Sequence, residues 1–368
     1  MVGVGEAPPI LDFSAFYTGD AAAKKKLVDD VRSCCLHNGF FQITGHNVPR
    51  ELQQGIMDWN KKFFDLPLEQ KMEVSKGAIF IILSYTLLTV VRADTTNTWN
   101  RGYELLKSQI LEEGTLPELK EGFYIGDEIS KSHPYFINKK LNSGPNMWPS
   151  PSTLPEVADF QKTALAYYYQ VVDLAKDILK VLAQTLDLEE SWFDEFSEGA
   201  VATMRLLHYP SQPPDSPQKL TRGIGAHTDF GTITILLQDK VAGLQVLDNQ
   251  TKEWLDVEPT PGAFVVNLGN LMMRWSNDKY ISNTHRVINQ SGEERYSIPV
   301  FFSGNPDFVV ECLPNCRAEG EEAKYAPITV EQAVLGGYAD SYGRAERFKK
   351  DAAAKASAVP SAQGVAVA

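Results

Sequence analysis

Three residues of this sequence could bind one metal ion together. His227 and Asp229 are separated by a single residue in the segment Gly225-Ala226-His227-Thr228-Asp229, and His285 follows further along the chain. Residues i and i+2 of a β-strand point to the same face, so His227 and Asp229 can present an imidazole and a carboxylate to one ion. An H-x-D triplet alone is a weak motif. If His285 lies on a neighbouring strand, the three side chains form a two-histidine, one-carboxylate set, which binds Fe(II) and leaves coordination positions open for oxygen chemistry.

A second group of polar residues could bind a carboxylate. Arg295 and Ser297 are again two residues apart, which in a strand places a guanidinium and a hydroxyl on one face. The planar guanidinium binds a carboxylate through two directed hydrogen bonds, which a lysine ammonium cannot do. Tyr209 could add a further hydrogen bond. The alternative is that Arg295 simply pairs with a neighbouring acid, Glu293 or Glu294.

These residues lie in a region that begins near Val201, where the apolar pattern changes from a helical period to a period of two. Short apolar runs separated by turn residues recur roughly every 8–12 residues, which is typical of an antiparallel sandwich or barrel such as a jelly roll. The pattern does not favour alternating strands and helices. The predicted strands are 203–209, 232–237, 244–247, 253–257, 263–267, 286–288, 296–302 and 308–311.

The chain before this region is predicted to be rich in helix. Many Gly, Pro, Asn and Ser residues between 114 and 149 predict a long irregular connection. The apolar periodicity predicts helices over 21–37, 49–64 and 156–186 and short strands over 10–13 and 40–43.

We therefore expect three parts along the chain. Residues 9–150 form an α-rich N-terminal region, and residues 151–345 form a domain that contains the predicted strands. Residues 346–368 are rich in Ala, Ser and Val and have few large apolar side chains, so we expect a disordered tail.

The overall composition excludes several classes of partner. The 368 residues carry 35 Lys and Arg against 47 Asp and Glu, a formal net charge of −12, which disfavours binding to nucleic acid or to an anionic membrane. Four Cys in a chain of this length do not make a disulfide framework and are expected to be reduced thiols. No segment has the composition of a targeting signal. We expect a cytoplasmic monomer that acts on a small molecule and has no nucleic-acid or membrane partner.

Longer motifs surround the chemical residues, and together they resemble a known family. They are His227-Thr228-Asp229-Phe230-Gly231-Thr232, Asn267-Leu268-Gly269, Asn283-Thr284-His285-Arg286-Val287, Arg295-Tyr296-Ser297-Ile298-Pro299 and, nearer the N-terminus, Asn38-Gly39-Phe40-Phe41 and Arg101-Gly102-Tyr103-Glu104. The sequence resembles the iron(II)- and 2-oxoglutarate-dependent dioxygenases of the isopenicillin N synthase-like group over about residues 9–345.

This resemblance implies a fold and a site. The fold is mainly β with α, a double-stranded β-helix (jelly roll) core behind the α-rich N-terminal region. The resemblance implies that His227, Asp229 and His285 bind Fe(II), and that 2-oxoglutarate chelates the iron while its distal carboxylate meets Arg295 and Ser297. Tyr209 lies near that carboxylate.

The resemblance also implies the reaction. With O2, 2-oxoglutarate is converted into succinate and CO2 while a small organic molecule is hydroxylated or desaturated, an oxidoreductase activity typical of secondary metabolism. Tyr103 and Phe301 stand where relatives line the substrate pocket. Two alternatives stay open: an iron-dependent oxidase that does not use 2-oxoglutarate, as isopenicillin N synthase is, and a non-catalytic jelly-roll binding protein.

Residues 77–93 contain the most apolar run of the chain and interrupt the resemblance. The run of about 15 residues is too short for the ~20 that a membrane-spanning helix needs. Relatives pass almost directly from the preceding helix to the segment around Arg101. We interpret residues 77–93 as a retained intron translated in frame, the alternative being a real buried strand or lid. Removing these 17 residues would leave 351.

Overall fold

Two sheets packed face to face form the centre of the protein. The computed structural model describes residues 5–75, 79–84, 87–92, 99–213, 215 and 222–339. The strands are β1 (Ile10–Asp12), β2 (Phe40–Thr44), β3 (Ile79–Ser84), β4 (Leu87–Arg92), β5 (Gly102–Glu104), β6 (Glu121–Gly126), β7 (Val201–Tyr209), β8 (Arg222–His227), β9 (Ile233–Gln238), β10 (Leu244–Leu247), β11 (Trp254–Asp256), β12 (Phe264–Leu268), β13 (His285–Ile288), β14 (Arg295–Gly304), β15 (Val309–Val310) and β16 (Ile328–Thr329).

The strand order is that of a jelly roll, as predicted. The larger sheet has eight strands in the order β1-β2-β12-β9-β14-β7-β6-β5, and the smaller sheet has the order β11-β10-β13-β8. Leu207 and Val265 of the larger sheet share a buried cluster with Val246 and Val287 of the smaller sheet. Burial of these apolar side chains between the sheets holds the two layers together.

Helices cover the other face of the larger sheet. They are α1 (Ser14–Thr18), α2 (Ala21–His37), α3 (Arg50–Phe64), α4 (Leu68–Met72), α5 (Pro134–Ile137), α6 (Val157–Thr185), α7 (Asp194–Ser197), α8 (Asn270–Trp275) and α9 (330–339). Both α2 and α3 pack against α6. Leu174, Ile178 and Leu182 recur along α6 at helical spacing and belong to the same buried cluster as Ile235 and Val300 of the sheet.

Successive side chains of β14 point alternately to the helical side of the larger sheet and to its opposite side. Ile298, Val300 and Phe302 are buried in the cluster on the helical side. Ser297 and Phe301, with the other odd-numbered residues from 295 to 303, line a cleft on the opposite side. Successive side chains of a strand point to opposite faces, so one strand contributes both to the core and to the cleft.

The structure contains two strands, β6 and β8, that the sequence did not predict. The predicted irregular connection over 114–149 contains β6, which pairs with β7 in the larger sheet. Its residues are all buried, so they show no alternation that would have predicted a strand. Strand β8 was not predicted because the segment Arg222–His227 contains two glycines and little apolar surface.

The N-terminal region is continuous with the jelly roll, since β1, β2, β5 and β6 all belong to the larger sheet. Among the described strands, β3 and β4 pair only with each other, in a hairpin within the proposed insertion at 77–93. The predicted disordered tail, 346–368, lies outside the described residues. No helix in the described part of the chain combines the length and the apolarity needed to cross a bilayer.

Candidate active site

The structure brings His227, Asp229 and His285 together in the lining of the cleft. His227 ends β8 and His285 begins β13, and the two residues are directly paired across these strands. Nε2 of His227 lies 3.7 Å from Oδ1 of Asp229, and Nε2 of His285 lies 3.8 Å from the same oxygen. One ligand atom from each side chain lies within 4.8 Å of the others. Three such atoms around one point can bind a single metal ion.

Backbone carbonyls orient both imidazoles. Nδ1 of His227 lies 2.8 Å from the carbonyl oxygen of Gly225, and Nδ1 of His285 lies 3.1 Å from that of Asn283. A carbonyl only accepts, so each Nδ1 carries the proton and donates it. The lone pair of each Nε2 then faces Asp229 and is available to a metal.

Two polar side chains orient the carboxylate of Asp229. Its Oδ2 accepts a hydrogen bond of 2.6 Å from the hydroxyl of Thr234 on β9 and one of 2.8 Å from the amide of Asn267 on β12. Oδ1 is left facing the two imidazoles. Thr234 and Asn267 were not predicted as site residues; the only sequence signal was that Asn267 belongs to the Asn267-Leu268-Gly269 motif.

The protonation states of His227 and Asp229 suit metal binding. Burial lowers the pKa of His227, and the neighbouring His285 lowers it further, so the imidazole is neutral. Burial alone would raise the pKa of Asp229, but the nearby histidines and the hydrogen bonds from Asn267 and Thr234 hold it below its ordinary value. A carboxylate and neutral imidazoles are the forms that bind a divalent cation, so the residues fit Fe(II).

Arg295, Ser297 and Tyr209 form a second polar group in the cleft. Arg295 is fully buried; its Nε donates to the carbonyl of Val241 at 3.2 Å and its Nη2 to Oε1 of Gln238 at 2.8 Å. Within the described residues, Nη1 of Arg295 is buried and has no hydrogen-bond partner. A buried guanidinium nitrogen without an acceptor is costly, so this position fits an anionic ligand.

Hydroxyl groups flank this guanidinium. The Arg295 Cζ lies 4.9 Å from the centroid of the Tyr209 ring, and the Ser297 hydroxyl donates to that of Tyr209 at 3.5 Å. Burial raises the pKa of Tyr209, so its hydroxyl keeps a proton to donate. A Cβ added at Gly223 would lie 2.4 Å from the Tyr209 ring, which explains why β8 carries a glycine there.

The alternative pairing of Arg295 with an adjacent acid is wrong. Glu293 pairs instead with Lys240, at 3.3 Å between Oε2 and Nζ. Glu294 accepts a hydrogen bond of 3.0 Å from the hydroxyl of Tyr296. Among the described residues that line the cleft, neither acid is present, whereas Arg295 points into it.

The cleft occupies about 960 Å³ including its open mouth, and both polar groups line it. Phe301 lines it as well. Tyr103 does not: the structure places its buried hydroxyl 2.5 Å from Oε2 of Glu121, a carboxylate that also pairs with Lys71 and His208. The expected role of Tyr103 in substrate contact therefore has no support from its position.

Two glutamates between β5 and β6 hold the strand that carries His227. Oε2 of Glu112 accepts the backbone N–H of Ala226 at 2.9 Å, and Oε1 of Glu118 accepts that of Gly225 at 3.0 Å. Burial raises the pKa of Glu118 to about 7, although nearby Lys120 opposes the shift. Sequence reasoning missed both residues, because no spacing rule connects this segment with β8.

Two family models match the chain. Residues 200–304 match the 2OG-Fe(II) oxygenase superfamily, and residues 8–151 match the N-terminal model described as non-haem dioxygenase in morphine synthesis. The first match contains all six residues of the two polar groups. The second covers the whole N-terminal region, residues 9–150.

Curated proteins and solved structures agree with these matches. The chain is 62% identical over 352 residues to the 2-oxoglutarate-Fe(II) type oxidoreductase hxnY of Emericella nidulans, an alignment that covers 96% of this chain and 95% of that protein. It is 38% identical over 330 residues to the 2-oxoglutarate-dependent dioxygenase citB of Monascus ruber, covering 89% and 93% of the two chains. The crystal structure of a full-length Neurospora crassa protein in complex with alpha-KG superposes with a TM-score of 0.76 at 27% identity, covering 90% of this chain and 95% of that one.

These relatives do not favour an oxidase without 2-oxoglutarate or a non-catalytic binding protein. The chain belongs to the 2-oxoglutarate- and iron(II)-dependent oxygenase superfamily, and it is a dioxygenase that uses Fe(II), 2-oxoglutarate and O2.

Proposed function

We propose that His227, Asp229 and His285 hold the catalytic iron and that Arg295, Ser297 and Tyr209 hold the distal carboxylate of 2-oxoglutarate. The observation that carries the proposal is the pairing of two features in one cleft: three converging metal-binding atoms and a buried Arg295 nitrogen without an acceptor among the described residues. Iron bound there supplies the activation of O2 and the oxidative decarboxylation of 2-oxoglutarate to succinate and CO2.

The surrounding side chains have defined tasks in this proposal. Thr234 and Asn267 occupy Oδ2 of Asp229, so that Oδ1 alone faces the metal position. Gln238 and the Val241 carbonyl fix the guanidinium plane of Arg295, which leaves Nη1 for the ligand. The Tyr209 hydroxyl, which accepts from the Ser297 hydroxyl, supplies a neutral donor beside it. Fixed donors need no reorganisation when 2-oxoglutarate binds.

The substrate is a small organic molecule that the enzyme hydroxylates or desaturates, within secondary metabolism. Phe301 lines the end of the cleft away from Arg295 and is proposed to contact the substrate. We place this enzyme in the cytoplasm. The net charge of −12 supports a monomer that binds neither nucleic acid nor anionic membranes.

A binding titration tests the assignment of the residues. Purified protein without metal is titrated anaerobically with Fe(II) and then with 2-oxoglutarate, and the absorption of the iron complex is recorded. We expect a new absorption band that requires both additions and that is absent in His227→Ala. Arg295→Ala should lose binding of 2-oxoglutarate but keep binding of Fe(II). That result would show that Arg295 binds the co-substrate and not the metal. Formation of the band in His227→Ala would refute the metal assignment.

We also propose that residues 77–93 are a retained intron. Pairing of β3 and β4 with each other alone, among the described strands, supports an insertion that the jelly roll does not need.

The domain division at 9–150 and 151–345 is retained as a description of sequence regions, with β1, β2, β5 and β6 joining the sheet of the second region.

A further inference from the structure

One peptide group connects the imidazole of His227 with a carboxylate. The carbonyl oxygen of Gly225 accepts the Nδ1–H of His227 at 2.8 Å. This carbonyl belongs to the same peptide group as the N–H of Ala226, which donates to Oε2 of Glu112 at 2.9 Å. Glu112 is therefore linked to the proposed iron ligand through two hydrogen bonds and one planar peptide group.

Arg222 holds the carboxylate of Glu112 in place. Its Nη1, at the start of β8, lies 2.6 Å from the same Oε2 of Glu112. The side chains of Arg222 and Glu112 are 16% and 29% exposed, so water screens the charge of this carboxylate only in part. Glu112 therefore presents a charged acceptor in a fixed position to the peptide group.

The close approach of Glu112 to β8 depends on a glycine. Among the described strands, β8 lies at an edge of the smaller sheet, and the N–H of Leu119 donates to the carbonyl of Arg222 on that edge at 3.1 Å. A Cβ added at Gly225 would lie 2.8 Å from Cβ of Glu112 and 3.2 Å from its backbone nitrogen. A larger residue at 225 would push the segment that carries Glu112 away from the strand.

The corresponding peptide group at His285 has a neutral partner. Nδ1–H of His285 donates to the carbonyl of Asn283 at 3.1 Å, and the N–H of Thr284 in that peptide group donates to Oδ1 of Asn283 at 2.8 Å. Hydrogen bonds to a charged acceptor are roughly twice as strong as those to a neutral one. The two imidazoles are therefore supported unequally, and the hydrogen bond of His227 is the shorter one.

We propose that Glu112 is a positioning residue for the iron and acts on His227 through the peptide group between Gly225 and Ala226. A carboxylate that accepts the N–H polarises the peptide group, so its carbonyl accepts the imidazole proton more strongly. This hydrogen bond fixes the ring orientation of His227 and increases the basicity of Nε2, so the metal is bound more tightly. The inference rests on the proposed function for the role of His227.

The first measurement uses the full-length protein without metal. Histidine is labelled with 15N, and the Nδ1–H proton resonances of His227 and His285 are recorded by NMR and assigned with His227→Gln and His285→Gln. A weaker hydrogen bond moves the resonance of its proton upfield. In Glu112→Gln we expect the resonance of His227 to move upfield, while that of His285 stays unchanged and serves as an internal reference.

The second measurement is the Kd for Fe(II) under anaerobic conditions. Glu112→Gln keeps an oxygen that can accept the N–H of Ala226 but removes the charge. It should raise the Kd about tenfold, the lower end of the range for residues that orient metal ligands, because Glu112 is partly exposed. Glu112→Ala removes the charge and the acceptor and should raise the Kd at least as much. If Glu112 only held the segment on β8, Glu112→Gln would keep the wild-type Kd.

The matched control is Glu113→Gln. Glu113 is the next residue of the same segment and is exposed, so this variant removes the same charge without touching the hydrogen bond to Ala226. It should change neither the resonance of His227 nor the Kd for Fe(II).

Three results would overturn the inference: an unchanged His227 resonance in Glu112→Gln, an unchanged Kd for Fe(II) in that variant, or changes of equal size in Glu113→Gln. The last result would assign the effect to the overall charge of the segment. Failure of the wild type to bind Fe(II) refutes the proposed function, whereas the His227 resonance in protein without metal tests Glu112 separately.

Discussion

Replacing Arg295 with Ala should weaken binding of 2-oxoglutarate far more than binding of Fe(II). The side chain is fully buried, and its Nη1 is the one guanidinium nitrogen not engaged by Gln238 or Val241 in the described structure. Arg295 makes no hydrogen bond with any of the three proposed iron ligands, whose described partners are Gly225, Asn283, Thr234 and Asn267. Its removal should therefore leave the affinity for Fe(II) within about threefold of the wild type.

The expected size of the effect follows from burial. Removing one partner of a buried, hydrogen-bonded charge pair costs about 2–5 kcal/mol. A loss of about 3 kcal/mol corresponds to roughly a hundredfold higher Kd for 2-oxoglutarate. Arg295→Lys keeps the charge but lacks the guanidinium fork that reaches Gln238 and the ligand together. Its Kd for 2-oxoglutarate should therefore lie between those of the wild type and Arg295→Ala.

The assay is an anaerobic titration followed by absorption, with Fe(II) affinity measured separately. Lys240→Gln is the matched control, because it also removes one positive charge near this end of β14 from an exposed side chain paired with Glu293. Lys240→Gln should change neither the Kd for Fe(II) nor the Kd for 2-oxoglutarate. An equal loss of affinity for Fe(II) and 2-oxoglutarate in Arg295→Ala, or unchanged affinity for 2-oxoglutarate, would refute the reasoning.

Three further predictions concern other parts of the molecule. Asn267→Ala removes one of the two hydrogen bonds to Oδ2 of Asp229 and should weaken Fe(II) binding about 10- to 100-fold, measured by competition with a chelator; unchanged affinity would contradict the orienting role. Burial raises the pKa of Glu118 from an ordinary 4.5 to about 7 in the folded protein. The folded state therefore binds this proton more tightly than the unfolded state does. The free energy of unfolding should fall by up to about 3 kcal/mol as the pH rises from about 4.5 to 7. Denaturant titrations at pH 5 and 7.5 should show that fall in wild type and a smaller one in Glu118→Gln. Deleting residues 77–93 should preserve Fe(II) and 2-oxoglutarate binding, and the dominant cDNA should lack the corresponding 51 nucleotides; a dominant cDNA that retains them would overturn the intron interpretation.

The sequence allowed prediction of features that depend on local periodicity. Arg295 and Ser297 are two residues apart on β14, and a strand places such a pair on one face. His227 and Asp229 have the same spacing, but β8 ends at His227 and Asp229 lies in the segment that follows, so strand alternation does not explain their approach. The predicted strand 244–247 and the helix 21–37 have the observed bounds. Alternation in the strand, and the Asn38-Gly39 pair that follows the helix, are local signals that do not depend on distant pairing.

The sequence did not predict contacts that depend on distant pairing. Thr234 and Asn267 reach Asp229 from two other strands, and Glu118 reaches β8 from a segment far away in sequence. Strand β6 is buried on both faces and lacks alternation, so no local pattern marked it. Tyr103 shows the same limit, since its motif did not reveal that its hydroxyl is bonded to Glu121.

The alternation along β14 has a consequence for how enzymes of this kind can diversify. Arg295 and Phe301 line the same cleft from one strand but are six residues apart, about 20 Å along its length. Substitutions separated by more than about 10 Å, with no shared partner, usually have additive energetic effects. Substitutions near Phe301 can therefore alter which substrate is accepted while 2-oxoglutarate is still required. One end of β14 can change its substrate contacts while the other end keeps its contacts with the co-substrate.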